Sequence, residues 1–457
     1  MALALPLRRH PRLSRMLPVL PLVAVVVLLA LPVPPGSSGG AGPADAVSAL
    51  VVGHCVVHLL RERRRPLTRT AALLLGLPVV GISLAAMNAV SPSAGISGLG
   101  RYLQVFVLVP ATVVLLVRDR SGFRLLAWSL VALAGWQGAV GVHQYVTGTG
   151  ASYQGEDIRA VGTFGATDVM GMATAVSFGL VCATGIALGR SGTRRERVVA
   201  ACCALALFLP LALSFSRGAW IATATTLTLQ LALAGLRRAL KVGAAVVAAC
   251  VVLVGGLGVG TAMLQERIDS ITQVTDAPDQ SVTDRYTMWA AAADMWRARP
   301  LTGVGMKGFP EYRDGYASLA LSSGGDIEGA GAAFHRQPLL SPHNMYLLVL
   351  GEQGLIGLLC LVGGWLALLV CSLRGLWRAR AVGGRGLDCA LVACGLLVWQ
   401  LVDFVYADIG GPSTVLTAVC FGLVAWWALV GSEEVTGAAR ASVPAGRGPV
   451  TGKAVVR

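Results

Sequence analysis

The sequence predicts an all-α, polytopic membrane protein of about twelve transmembrane helices, on three observations. Hydrophobic residues make up 55% of the 457 and charged residues only 13%, and the mean hydropathy is +0.69, far above that of a soluble globular chain. Apolar runs of about 17 to 25 residues, long enough to cross the hydrocarbon core as helices, recur along the chain. Lys and Arg fall in short clusters that alternate with those runs.

The formal charge of +14 is therefore a topology signal. The basic residues do not line one face, which excludes a nucleic-acid partner. All ten cysteines, Cys55 to Cys420, lie inside or at the ends of apolar runs, so neither a disulfide framework nor a CxxC metal site is implied.

The first block, 1–264, holds nine expected spans at about 17–35, 44–60, 70–90, 99–117, 123–146, 167–188, 198–214, 219–236 and 242–264. Three more come at about 343–372, 387–406 and 413–430, within a second block, 343–430. A polar tail, 431–457, is expected to be disordered. Arg8 to Arg15, Arg61 to Arg69, Arg118 to Arg124, Arg190 to Arg197, Arg237 to Lys241, Arg374 to Arg385 and the tail to Arg457 all land on one side. They hold about 27 of the 37 basic residues, so that side is assigned to the cytoplasm, with both termini and the tail on it. The first run also fits a signal peptide, with a basic region before it and small residues before Ala46; cleavage leaves the later orientation unchanged.

Two outer loops remain to carry chemistry, 265–342 between the ninth and tenth spans and the shorter 147–166. In the long loop SVTDRYTMWAAAADMWRARP has Ser281 and Asp284 spaced like a capping box, helix formers, and a stop at Pro300. A surface-lying helix is expected, with Trp289, Ala292, Ala293 and Trp296 as its apolar face and Arg285 one turn before Trp289 on the same face. The Ser-, Gly- and Ala-rich stretch 318–331 is expected to be a flexible excursion.

Three motifs carry candidate functional residues. In SPHNMYLLVLGEQGLIGLL, Pro342 and Asn344 suit an ordinary helix start, but His343 stands at a water-accessible mouth where a neutral imidazole accepts a proton near pH 7. Glu352 lies about 12 Å further in, at 1.5 Å per residue, where a carboxylate needs a partner; holding a neighbouring helix is one role for it. In LSFSRGAW, Arg217 sits in a tight outer turn, against the positive-inside bias, and suits an anion. The run GVGMKG matches GxGxxG, but no strand precedes it, so a nucleotide fold is excluded; it is a turn, or a phosphate cradle with Lys307. Asp403, near the outer end of its helix, is placed to orient His343 or to pair with an arginine. Arg101 and Asp168 sit at outer helix ends where either is an interfacial anchor; in the long loop His335 accompanies His343, but no HxxxH, HExxH or DxD cluster for a metal is expected in the outer loops.

Arginine forks suit diphosphate, a histidine suits deprotonating an alcohol, and the apolar surroundings suit a lipid tail. SFSRGAW, RPLTGVGMKGF and PHNMYLLVLGEQGLIGLL resemble the signature blocks of the O-antigen ligase and polymerase superfamily. The resemblance covers about Leu205 to Leu361, with Asp403 in a plausible place. It implies a GT-C-type, metal- and cofactor-independent glycosyltransferase in a bacterial cytoplasmic (inner) membrane. Such an enzyme takes a glycan from undecaprenyl diphosphate, a lipid-linked oligosaccharide, to a hydroxyl of a glycan or lipid acceptor in cell-surface polysaccharide synthesis. Carried over by motif, Arg217 and Arg285 bind the diphosphate and His343 is the base; Lys307, Asn344, Asp403 and Glu352 are the further substrate-side candidates. A competing class is a twelve-helix transporter or flippase of a lipid-linked glycan. Against it stand the missing internal repeat and the position of the long loop between helices nine and ten.

Overall fold

The computed structural model describes residues 16–33, 42–62, 67–153, 159–235, 280–329, 332–411 and 413–434. The run expected at 242–264, the first part of the long loop and the tail beyond 434 lie outside the described residues. The helices are α1 (Leu20–Leu28), α2 (Pro43–Glu62), α3 (Arg69–Met87), α4 (Pro92–Leu103), α5 (Val109–Leu116), α6 (Arg120–Thr147), α7 (Gly171–Leu188), α8 (Arg194–Ala212) and α9 (Arg217–Ala234). After the long loop begins come α10 (Gln280–Ala298), α11 (Phe309–Tyr316), α12 (Met345–Ala381), α13 (Leu387–Asp403) and α14 (Thr414–Trp426).

Polar residues fix many of the starts. Thr68, Ser91, Asp119 and Ser216 each accept an N–H bond from the first turn of α3, α4, α6 and α9, and Thr193 with Glu196 closes a capping box on α8. Among the described residues seven helices are long and apolar enough to cross a membrane, α4 and α5 counting as one through their π-helical join at Gln104–Leu108. Four other expected spans fall on helices that miss that standard. The first is short, Leu17–Leu28. The others are α8, which opens on Arg194, Arg195, Glu196 and Arg197, the 17-residue α13, and α9, which is rich in Thr and contains Gln230.

The polarity of α9 goes into packing. It runs antiparallel to α13: Gln230 Nε2 donates to the carbonyls of Leu391 on α13 (2.9 Å) and Val181 on α7 (3.1 Å), and the Trp399 indole of α13 donates to Thr223 Oγ1 at 2.9 Å. Such interhelical bonds hold membrane bundles together where apolar burial alone does not discriminate. In the centre Phe106, Trp365, Phe404 and Phe421 form one ring cluster with centroids 5.2 to 6.5 Å apart.

Loops 118–124, 190–197 and 374–388 meet at one end of the bundle. Arg124 pairs with Glu196 (3.1 Å) and with buried Asp388 (3.5 Å), and the Gly386 N–H donates to Ser191 Oγ. The other end gathers Arg101, Asp168, Arg217 and His343 around the turn after α13.

Two expectations for the long loop need correction. The buried stripe of α10 is Asp284, Thr287, Met288, Ala291, Ala292 and Met295; of the expected face of Trp289, Ala292, Ala293 and Trp296 it contains Ala292, and the other three are half-buried. Asp284 causes this: it is not a capping residue but an inward acceptor, taking the Ser322 N–H (2.8 Å) and hydroxyl (2.6 Å) and Gln280 Nε2 (2.8 Å). Trp289 stays half-buried. The stretch expected to be a flexible excursion instead contains a strand. β1 (Ala151–Tyr153), β2 (Gly325–Gly329) and β3 (Ala332–Gln337) form an antiparallel sheet in that order. The backbone pairing joins the two loops expected to lie outside, and Gly-rich composition concealed it.

Candidate active site at one end of the bundle

Each of the three sequence motifs contains one non-glycine residue in left-handed backbone: Phe215 (φ 49°), Lys307 (φ 54°) and His343 (φ 48°), the only ones among the described residues. Such geometry costs free energy and persists only where the surroundings over-determine it. At His343 the surroundings are visible. The carbonyl before it, Pro342, accepts the Trp289 indole N–H at 2.8 Å. After it, Asn344 caps α12 by accepting from the Leu347 N–H at 3.0 Å, and the Met345 N–H donates to the carbonyls of Phe404 (2.9 Å) and Ala407 (3.0 Å). Asn344 is thus occupied as a helix cap and 6% exposed.

That last bond clips the histidine to the turn 404–411, and the turn supplies a carboxylate that the motifs do not include. Asp408 Oδ2 lies 3.9 Å from His343 Nδ1 and accepts the Ser341 hydroxyl at 2.5 Å. At 3.9 Å the imidazole is not hydrogen-bonded but is within reach of one water or a small side-chain rotation. Asp403, expected in this role, is buried one turn earlier, and its carbonyl accepts the N–H groups of Tyr406 and Ala407. The signal for Asp408 was present: α13 ends at Asp403, and Gly410–Gly411–Pro412 marks the next stretch as a loop, so the later aspartate is the one at the mouth.

His343 is packed closely about, yet 44% of its side-chain surface stays open. Burial pushes its pKa below the ordinary 6.5, the Asp408 carboxylate opposes that, and the Arg285 guanidinium adds to it. Arg285 therefore lies within electrostatic reach of the imidazole, on an exposed face of α10. Arg217 starts α9 at the same end of the bundle. The glycine after it allows the approach: a Cβ at Gly218 would meet Tyr406, in the turn that carries Asp408.

Below the histidine, the Gly-rich run and the start of α12 interlock. The N–H groups of Val304 and Gly305 bond the carbonyls of Gly351 (2.9 Å) and Glu352 (3.0 Å), and the Met306 N–H bonds Ala85 O of α3 (2.9 Å). In return α12 breaks at Gly354 (φ 65°, ψ −166°), and the N–H groups of Leu355 and Ile356 bond the carbonyls of Pro300 and Leu301. Glu352, 3% exposed, accepts the Phe309 N–H at 3.1 Å, and the Lys307 N–H faces it too. The GxGxxG amides are therefore spent on protein carbonyls and on Glu352, while the Lys307 side chain is exposed. Broken backbone at membrane depth is tolerated because its groups are satisfied inside protein.

The remaining polar residues at this end are braces. Arg101 pairs with Asp45 and donates to Gly411 O at 2.9 Å, and Asp168 accepts the Ser413 N–H at 3.0 Å, so both hold the turn 404–413. Among the described residues no group of three His, Cys, Asp or Glu side chains is placed to hold a metal ion.

Residues 201–362 match the family model described as O-Antigen ligase, a stretch that includes Arg217, Arg285, Lys307, His343, Asn344 and Glu352 but neither Asp403 nor Asp408. No curated protein matches the chain. Its apolar helices make the chain a multi-pass membrane protein, and its segment 201–362 is similar to the O-antigen ligase family.

Proposed function

We propose that the protein transfers or polymerises a glycan from undecaprenyl diphosphate onto an acceptor hydroxyl at the outer face of the bacterial cytoplasmic membrane, in cell-surface polysaccharide synthesis. The observation that carries this reading is the convergence, at one end of the bundle, of His343 with Asp408 behind it, Arg285 and Arg217, within and beside the O-antigen ligase match.

A hydrogen on Nδ1 directed at Asp408 leaves His343 Nε2 as the acceptor. Nε2 takes the hydroxyl proton as the acceptor oxygen bonds to the anomeric carbon. The bond from that carbon to the diphosphate breaks, and its electron pair leaves with the polyprenyl diphosphate. Arg217 and Arg285 neutralise the charge that develops there, with the exposed Lys307 ammonium adding to the field. No divalent metal is needed in this scheme. Asn344, Asp403 and Glu352 serve the site as framework, through a helix cap, the turn after α13 and the Gly-rich loop.

Purified protein in detergent should consume a lipid-linked oligosaccharide and yield a glycosylated acceptor, with turnover unchanged by EDTA. Vectorial transport is impossible in detergent, so donor that remains intact would point to a transporter. Turnover abolished by EDTA and restored by magnesium or manganese would overturn the metal-free scheme.

A further inference from the structure

Beside the base and the arginine stands an aromatic side chain to which neither the sequence motifs nor the scheme above gives a task. Tyr286 comes directly after Arg285 on α10 and is 58% exposed. Its ring is nevertheless held, edge to face against Trp289, with centroids 5.6 Å apart and planes at 89°. Trp289 in turn is fixed by its indole N–H to the carbonyl of Pro342, the residue before His343. A single short chain of contacts thus runs from the exposed phenol ring to the backbone that holds the imidazole. Arg285 lies within electrostatic reach of that imidazole.

We infer that Tyr286 is a sugar-binding platform: its exposed ring takes the apolar C–H face of a pyranose held between the diphosphate arginine and His343. The inference rests on the glycosyl-transfer reading and adds a residue that selects the sugar. A pyranose presents axial C–H groups on one face and hydroxyls at its rim. An aromatic ring complements the face through dispersion and its negative quadrupole, while water keeps the rim. An aromatic in this place without a ligand would serve only as a membrane-interface anchor. The two roles differ in what Tyr286 recognises, because an anchor is indifferent to the sugar. The pyranose belongs either to the donor, next to its diphosphate, or to the acceptor, next to the hydroxyl that His343 deprotonates.

The test uses full-length protein in nanodiscs and the variants Tyr286→Ala, Tyr286→Leu and Tyr286→Phe. Affinity is measured for the glycosylated polyprenyl diphosphate and for the bare polyprenyl diphosphate, and KM is measured for the acceptor. A donor-side platform gives Ala and Leu variants that lose about two- to tenfold in affinity for the glycosylated lipid, keep the bare lipid, and are restored by Phe. An acceptor-side platform instead raises acceptor KM by a similar factor with both lipids unaffected. Equal losses for glycosylated and bare lipid, or no change in any of the three quantities, overturn the inference. Failure of the wild type to bind either lipid would overturn the transferase reading itself, a result separable from the others because it needs no variant.

Discussion

At the residue scale, Arg217 and His343 stand out in the sequence because each breaks a rule of its surroundings, a cation in a turn expected outside or an imidazole at the start of an apolar helix, and Arg285 stands out by its place beside Trp289 on the loop helix and by the family resemblance. Asp408 was passed over although the Gly-Gly-Pro after it marked a loop: its partner is 65 residues away in sequence, and it is the Met345 N–H on the Phe404 and Ala407 carbonyls and the Ser341 hydroxyl on Asp408 that bring them together. Two predictions belong here. Replacing Arg217 or Arg285 with Ala removes charge-assisted hydrogen bonds worth about 1.5 to 3 kcal/mol each, so donor affinity should fall about ten- to a hundredfold, with Lys restoring it only in part. Equal donor binding in wild type and both Ala variants would remove the arginines from the diphosphate site. The second concerns pH. A base must be neutral, and the His343 pKa is lowered, so turnover should persist below pH 6.5 and fall only as the imidazole protonates. Arg285 lowers that pKa and Asp408 raises it, so the acid limb should move up in pH in Arg285→Ala and down in Asp408→Asn. Movement of either limb in the opposite direction would refute the assignment, and His343→Gln should cost about 10² to 10⁴ in turnover with donor binding kept.

At the scale of elements, periodicity located the helices well, and the failures have identifiable causes. The buried face of α10 was misassigned because Asp284, polar by type, turns inward to partners near Ser322 that no local pattern announces. The strand at Gly325–Gly329 was missed because its residues are weak strand formers and its pairing to Ala151–Tyr153 is long-range. The break in α12 was missed as well, although GEQG is a conspicuous string, since a glycine inside an apolar run is usually a helical glycine. Gly354 is not: its φ and ψ are accessible essentially to glycine alone, and a Cβ there would run into the Leu301 carbonyl. Gly354→Ala should therefore destabilise the protein by about 1 to 3 kcal/mol and abolish turnover. Gly363→Ala, on the same helix with open space at its Cβ, should be neutral or slightly stabilising. Melting in detergent compares them, and equal melting of the two variants would mean that α12 does not need its break.

For the whole molecule, the alternation of basic clusters predicted which loops share an end, and Arg124, Glu196 and Asp388 meet as that pattern requires. The positive-inside rule assigns that end to the cytoplasm, and the assignment is open to direct measurement. In a background cleared of other reactive thiols, an impermeant maleimide on intact cells should label Cys at Leu319, which is fully exposed, and spare Cys at Arg385. The reverse pattern would invert the topology. The turn 404–411 also bears on how far this protein can be taken apart. It lies beyond the segment matched to the ligase family, yet it brings the carboxylate facing His343, receives the Met345 N–H, and is braced by Arg101 from far upstream. Competence is therefore not portable with residues 201–362: a hybrid carrying that cassette in a foreign set of helices should insert and bind donor but turn over poorly until 404–411 and its Arg101 brace travel with it.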